Sequence, residues 1–394
     1  MVDFGRAIDG PADKRFPDVD RVGYHDEASP DEHGPITSST VGLDEANVKF
    51  HRTEISLNAK LYAVSSNPAI LEIRRPSAGL LPYARSAFIT FKPLKAGRAA
   101  IEVRYNWLDG PVLGRLYVRI YDPLTVNVMV HLVEIDHTDA KGDRTNQKLP
   151  DQFLGADCRD RDSRLERAKF VIYGANAIWN PHGIVFSIHD GSDSVWSEKE
   201  LGEAPINLYN LDKQSIKTAG ALSTGRSKSH VNFFCVPARF GNTAAFTVPG
   251  ISAAANPRQF AVTVSDQPLS MSGIYVDALY TYTGNDIFML DRTIAHELGH
   301  YMTLVSRDGG HSTDDDRNNF GIAFRDDSVT RQRLLYPEGN LTQLDKTPWR
   351  NDVGYGYLNA GALVTHRALP PAQDVTLEES SRARASINHR DFYW

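Results

Sequence analysis

The sequence predicts a multidomain protein in which an all-β sandwich precedes a mixed α/β or α+β domain. Three observations predict it. The chain has 394 residues, more than one ordinary domain holds. From about Val48 to Tyr121, short runs alternate apolar and polar residues between turn signals. After Asp122-Pro123, strand-like and helix-like runs interleave.

Residues 1–44 are rich in Asp, Pro, Gly and His and poor in large apolar side chains, so they are expected to form an extended or loosely docked arm. Residues 45–122 supply the sandwich. AILEI (69–73), AFITF (87–91), the alternating run Ile101-Glu-Val-Arg-Tyr-Asn-Trp107, the Asp109-Gly110 turn and the run Leu116-Tyr-Val-Arg-Ile120 follow one another at strand spacing. Residues 123–394 form the second domain. LTVNVMVHLVEI (124–135) reads as a buried strand, and Leu165, Ala168, Ile172, Ala175 and Trp179 recur at helical spacing before Gly183. IVFSI (184–188), HVNFFCVP (230–237), AAFTV (244–248) and FAVTV (260–264) read as strands, and residues 291–305 as a long helix.

Composition removes several function classes. The net charge of −6 and pI near 6.1 argue against nucleic acid as a partner, because displacing counterions needs a basic surface. No apolar run approaches the roughly 18 residues of a spanning helix, so no membrane span is expected. The N-terminus lacks the basic and apolar regions of a secretory signal. The expectation is cytoplasmic residence, export by a signal-independent route, or prior removal of a leader. Two cysteines, Cys158 and Cys235, are too few for a disulfide scaffold, and Cys235 in its apolar run reads as a buried thiol.

The chemistry concentrates in Thr293-Ile-Ala-His-Glu-Leu-Gly-His-Tyr-Met302. His296 and His300 stand at i and i+4, so on a helix both imidazoles project from one face and can bind one Zn²⁺. Glu297, offset by one residue, sits beside the metal and can take the proton from zinc-activated water. The flanks are uncharged, whereas a solvent-facing helix would carry charges there. A catalytic zinc needs a third protein ligand. Asp308-Gly309-Gly310 ends the helix and lets the chain reverse, which makes His311 the best candidate, with Asp308 and the more remote Glu338 as oxygen-donor alternatives. Asp314-Asp-Asp316 lacks the alternating spacing of a calcium loop and reads as a solvated acidic turn.

Two resemblances add to this reading. SNPAILEI…AFITFKPLKAGRAAIEV resembles bacterial Ig-like domains, which often end in a GxAxIxV strand, over residues 45–122. HELGH at 296–300, the later histidine and Arg333-Leu-Leu-Tyr-Pro337 resemble the zincin metallopeptidases, in particular the metzincin-like group with its RLMYP turn, over residues 124–365. This implies an α+β zincin-like catalytic domain with a mixed sheet and an active-site helix. By the same resemblance, Tyr336 is the tyrosine that binds zinc or stabilises the oxyanion, and HVNFFCVPARFGNTAAFTVPG lines the substrate cleft. The chain departs from the family's HExxHxxGxxH, because Thr303 and Ser306 hold the glycine and last histidine positions and Leu335 replaces the turn methionine.

The function expected is a zinc-dependent endopeptidase acting on a protein or peptide. Zn²⁺ is held by His296, His300 and His311, Glu297 is general base and Tyr336 an auxiliary catalytic residue. Two other readings stand beside it: a non-catalytic zincin scaffold for binding or adhesion, and a zinc hydrolase of a non-peptide amide.

Overall fold

A computed structural model describes residues 2–5, 36–43, 45–52, 55–191, 193–240, 245–248, 273–279, 294–295, 297–299, 301–302, 354–359, 362–367 and 377–388. The described chain is mostly β, in several sheets that include mixed ones, with few helices. No described helix is long and apolar enough to cross a membrane. The chain divides into two compact units: Met1–Leu124 with Ala177–Val185 and Asn340–Ser380, and Thr125–Asn176 with Phe186–Gly339 and Ser381–Trp394.

The first unit holds β1 (Val2–Gly5), β2 (Ile36–Thr40), β3 (Ala46–Arg52), β4 (Leu61–Ser65), β5 (Leu71–Arg75), β6 (Ser86–Pro93), β7 (Gly97–Tyr105) and β8 (Val112–Tyr121). They form two sheets, ordered β1-β3-β6-β5 and β2-β8-β7-β4. Alternate residues point inward, as strand geometry dictates. Val48 and Phe50 of β3, Ile89 and Phe91 of β6, Ile101 and Val103 of β7, and Leu116 and Val118 of β8 join one buried core.

Two strands come from the segment expected to be an arm. β1 pairs antiparallel with β3, and Phe4 enters the core. β2 pairs parallel with β8, and all five of its residues, Ile-Thr-Ser-Ser-Thr, are buried. Ser38 Oγ lies 3.4 Å from His182 Nδ1 and Thr40 Oγ1 donates to the Asn180 carbonyl, whereas Ser39 Oγ is buried with no hydrogen-bond partner among the described residues.

A second difference concerns the run through Trp107. The strand stops at Tyr105, because Asn106 adopts φ 67, a left-handed conformation that ends β pairing. Trp107 therefore leaves the strand and is 55% exposed.

The second unit is built on β9 (Leu124–Thr138), of which all but Leu124 belongs to it. β10 (Arg144–Gln147) pairs with β9, while Gln152–Phe153 and Ala156–Asp157 form a separate small hairpin, β11–β12. α1 (Arg161–Trp179) follows, with Leu165, Ala168, Ile172, Ala175 and Trp179 all buried; its last three residues, and the first two of the next strand, belong to the first unit. Then come β13 (Ile184–Asp190), β14 (Ser194–Trp196), α2 (Glu198–Leu201), α3 (Lys213–Leu222), β15 (Val231–Val236), β16 (Ala245–Val248) and β17 (Gly273–Asp277). The sheet runs β10-β9-β15-β17-β16, with β13 and β14 also on β9. β9, β15 and β17 are parallel, and β16 is antiparallel at the end of the path. β15 and β17 are buried throughout, as parallel strands covered on both faces are. One core joins Trp196, Ile216, Phe234 and Tyr275, with the Phe234 and Tyr275 rings stacked at 5.2 Å. The hairpin β18 (Gly354–Asn359) and β19 (Ala362–Arg367) belongs to the first unit. The last helix is α4 (Leu377–Ile387). The strand expected at 260–264 lies outside the described residues.

Candidate functional site

The helix expected to carry the chemistry is described in part. Residues 294–295, 297–299 and 301 are helical, and the Met302 amide donates to the Leu298 carbonyl at 3.0 Å, one turn back. Ile294, Ala295, Leu298, Tyr301 and Met302 are all buried, which is the environment their uncharged side chains require. Glu297 is the one ionisable carboxyl among them, and only 8% of it is exposed. Desolvating a carboxylate is costly unless cations or donors compensate, and Glu297 does interact with other groups of the protein.

His296, His300, His311 and Tyr336 lie outside the described residues, as do Asp308 and Glu338. Among the described residues, no group of three or more His, Cys, Asp or Glu side chains is placed to hold a metal.

The neighbourhood of the helix has a distinct electrostatic character. Burial lowers the proton affinity of the half-buried Arg226, and the hydroxyls of Tyr275 and Tyr301 oppose that effect. Burial pushes the Tyr275 phenol well above its ordinary range, and the Arg226 guanidinium works against that rise. Arg226 therefore places positive charge near the ring of Tyr301, four residues beyond Glu297. Tyr301 itself is fully buried, as a packed aromatic is. β16, the strand expected to meet extended substrate, pairs with β17 and is last in the described path.

Sequence reasoning missed a polar network across β9 and β15. His131 Nε2 lies 3.0 Å from Asn232 Oδ1, and the same oxygen accepts from the Ser227 amide at 2.8 Å. Asn232 Nδ2 donates to the Ser227 carbonyl at 2.8 Å, and Ser227 Oγ lies 2.7 Å from His230 Nδ1. Burial first, and then nearby His189, lowers the pKa of His230. The signal was present as polar residues interrupting strands that otherwise read as buried. Asp277, fully buried at the end of β17, also went unremarked, and its Oδ1 accepts from the Leu279 amide at 2.8 Å. Both thiols are buried and free, and burial raises both of their pKa values.

No protein-family model and no curated protein matches the chain. Among solved structures it is similar to parts of the S-layer protein SbsC. Domains 5–6 match at 11% identity over 21% of this chain and 38% of that one, with a TM-score of 0.17. Domains 4 and 5 match at 10% identity over 25% and 50%, with a TM-score of 0.18. Domains 1–6 match at 10% identity over 28% and 16%, also with a TM-score of 0.18. The chain thus spans half or less of each of these structures, and at such TM-scores the likeness bears on neither fold nor activity.

Proposed function

We propose that the chain is a zinc-dependent endopeptidase whose catalytic part is a zincin-like domain within residues 123–394. The observation that carries this reading is Glu297, a buried carboxylate in an apolar helical stretch between His296 and His300. The donor set fits zinc: His296, His300 and His311 offer three imidazole nitrogens, the ligand type that three-coordinate catalytic sites use. Bound by them, zinc would supply Lewis acidity toward a peptide carbonyl and a water molecule. Glu297 would accept the proton that the attacking water gives up and pass it to the leaving amine. Tyr336 would donate a hydrogen bond to the developing oxyanion. β16, at the end of its sheet path, would hold extended peptide through main-chain hydrogen bonds. The N-terminal β-sandwich, which we read as an Ig-like module, would space or target this domain.

The test combines zinc stoichiometry with cleavage of a diverse peptide library, read by mass spectrometry, for the wild type and Glu297→Ala. We expect near-stoichiometric zinc in both proteins and cuts by the wild type alone. Absence of zinc after reconstitution would defeat the proposal. Stoichiometric zinc with no cuts by either protein would favour the non-catalytic scaffold, which the Ig-like module, the altered sequence spacing of the third ligand and the missing turn methionine motivate.

A further inference from the structure

The first unit carries a site that the peptidase reading does not use. Where β7 breaks at Asn106, the loop to β8 and the turn before β4 enclose an open cleft of about 540 Å³. Its walls include Ser56, Asn58, Lys60, Tyr105, Asn106 and Trp107. An indole this exposed at the tip of a loop is unusual, because tryptophan is among the most thoroughly covered residues on average.

Both walls are held rigidly. On one side the buried Arg52 donates through Nη1 to the Ser56 carbonyl at 3.2 Å and to the Ala59 carbonyl at 2.8 Å, and through Nη2 to the Pro82 carbonyl at 2.7 Å. On the other, the Asn106 amide donates to the Lys60 carbonyl at 2.9 Å and the Gly110 amide to the Trp107 carbonyl at 3.0 Å. Gly110 is obligatory, because a Cβ there would collide with the Tyr105 carbonyl. Asn106 keeps a left-handed φ of 67 that most side chains avoid. A loop backbone this constrained loses little backbone entropy on binding.

Those side chains are also uncommitted. Among the described residues, the Asn58 and Asn106 amides, the Lys60 ammonium, the Tyr105 hydroxyl and the Trp107 indole N–H find no partner within the protein. Each amide offers two donors and an acceptor, the tyrosine one of each, and the indole a flat apolar face with a donor at its edge. A pyranose presents the complement, a C–H face that stacks on an aromatic plane and a rim of hydroxyls that both donate and accept. An apolar peptide side chain would leave the amides unmatched, and a lone anion would leave the indole unused.

We propose that this cleft is a saccharide-binding site, with Trp107 stacking on a pyranose ring, Asn58 and Asn106 binding its hydroxyls, and Lys60 favouring a sugar acid. The site is independent of the zinc reading, because its residues and its readout are separate.

The test applies the full chain to an array of soluble glucan, mannan, xylan, chitin, peptidoglycan and polyuronate oligosaccharides, followed by calorimetry on each one retained. Trp107→Ala removes an exposed ring without opening the core, and Asn106→Gly deletes the amide while suiting the left-handed backbone, so both variants fold. We expect the wild type to retain at least one saccharide and each variant to lose about tenfold or more in affinity. Lys60→Met should lower affinity for uronates more than for neutral sugars. The proposal is overturned if the wild type retains no saccharide, if Trp107→Ala and Asn106→Gly bind as the wild type does, or if Trp107 proves necessary only for binding peptides or lipid vesicles.

Discussion

Replacing Glu102 with glutamine removes a buried negative charge from the centre of β7 while keeping its size. Glu102 Oε2 accepts from Arg104 Nη2 at 2.5 Å and from Arg104 Nε at 3.0 Å, and Oε1 accepts from Arg115 Nε at 2.8 Å. Arg115 is the residue directly opposite on β8, so the pair also ties the two strands together. The carboxylate side chain is 5% exposed, against 27% for Arg104 and 50% for Arg115. Breaking a fully buried pair costs about 3–5 kcal/mol. Here both guanidiniums can rehydrate, which brings the expected loss to about 2 kcal/mol. Burial works against the charge on Glu102, but the hydrogen bonds and charges of the two arginines outweigh it and hold its pKa below the usual range. A depressed carboxyl contributes stability above its unfolded pKa of about 4.3 and loses it as the pH falls through the folded value. The difference between wild type and Glu102→Gln should therefore be constant near neutrality and shrink in acid. Hydrogen-exchange mass spectrometry on peptides spanning 97–121, with urea unfolding at pH 7 and pH 3.5, reads both effects. About 2 kcal/mol corresponds to roughly 30-fold lower protection at neutral pH. A loss below about 0.5 kcal/mol, or one equal at both pH values, would refute the reasoning.

Two further outcomes follow from the second unit. A methyl on Gly220 of α3 would stand 2.6 Å from Tyr275 Cε1, and the ring is stacked on Phe234 and cannot withdraw, so Gly220→Ala should cost about 1–3 kcal/mol, measured as a lower urea midpoint. Cys158 and Cys235, buried and with raised pKa values, should resist Ellman's reagent at pH 8 in the native protein and react with two equivalents in denaturant. Fast labelling of Cys235 in the native state would contradict the packing of β15.

Much of the architecture was legible because it rests on periodicity. Alternation marked β6, β7 and β8, helical spacing marked α1, and uncharged flanks marked the buried stretch around Glu297. Cys235 was recognisable as buried from its apolar neighbours. The HELGH spacing is legible as a candidate metal motif because ligand spacing on a helix is a local property, and the zinc it suggests is a proposal.

Other features depended on partners far away in the chain. Ile36–Thr40 has no hydrophobic alternation, and it is a buried strand because β8 supplies its backbone partners and residues 180–182 supply partners for two of its hydroxyls. The same limit applies to Glu102, which reads as a solvent-facing residue of an alternating strand until Arg104 and Arg115 close over it. Asn106 is an ordinary residue in sequence, but its left-handed turn carries Trp107 out of the strand and into a cleft with Asn58 and Lys60. Local pattern marked most of the strands, helix α1 and the buried stretch around Glu297. Only tertiary structure decided where polar groups find partners and where they are left for a ligand, because hydrogen bonding and desolvation are settled between residues that are distant in sequence.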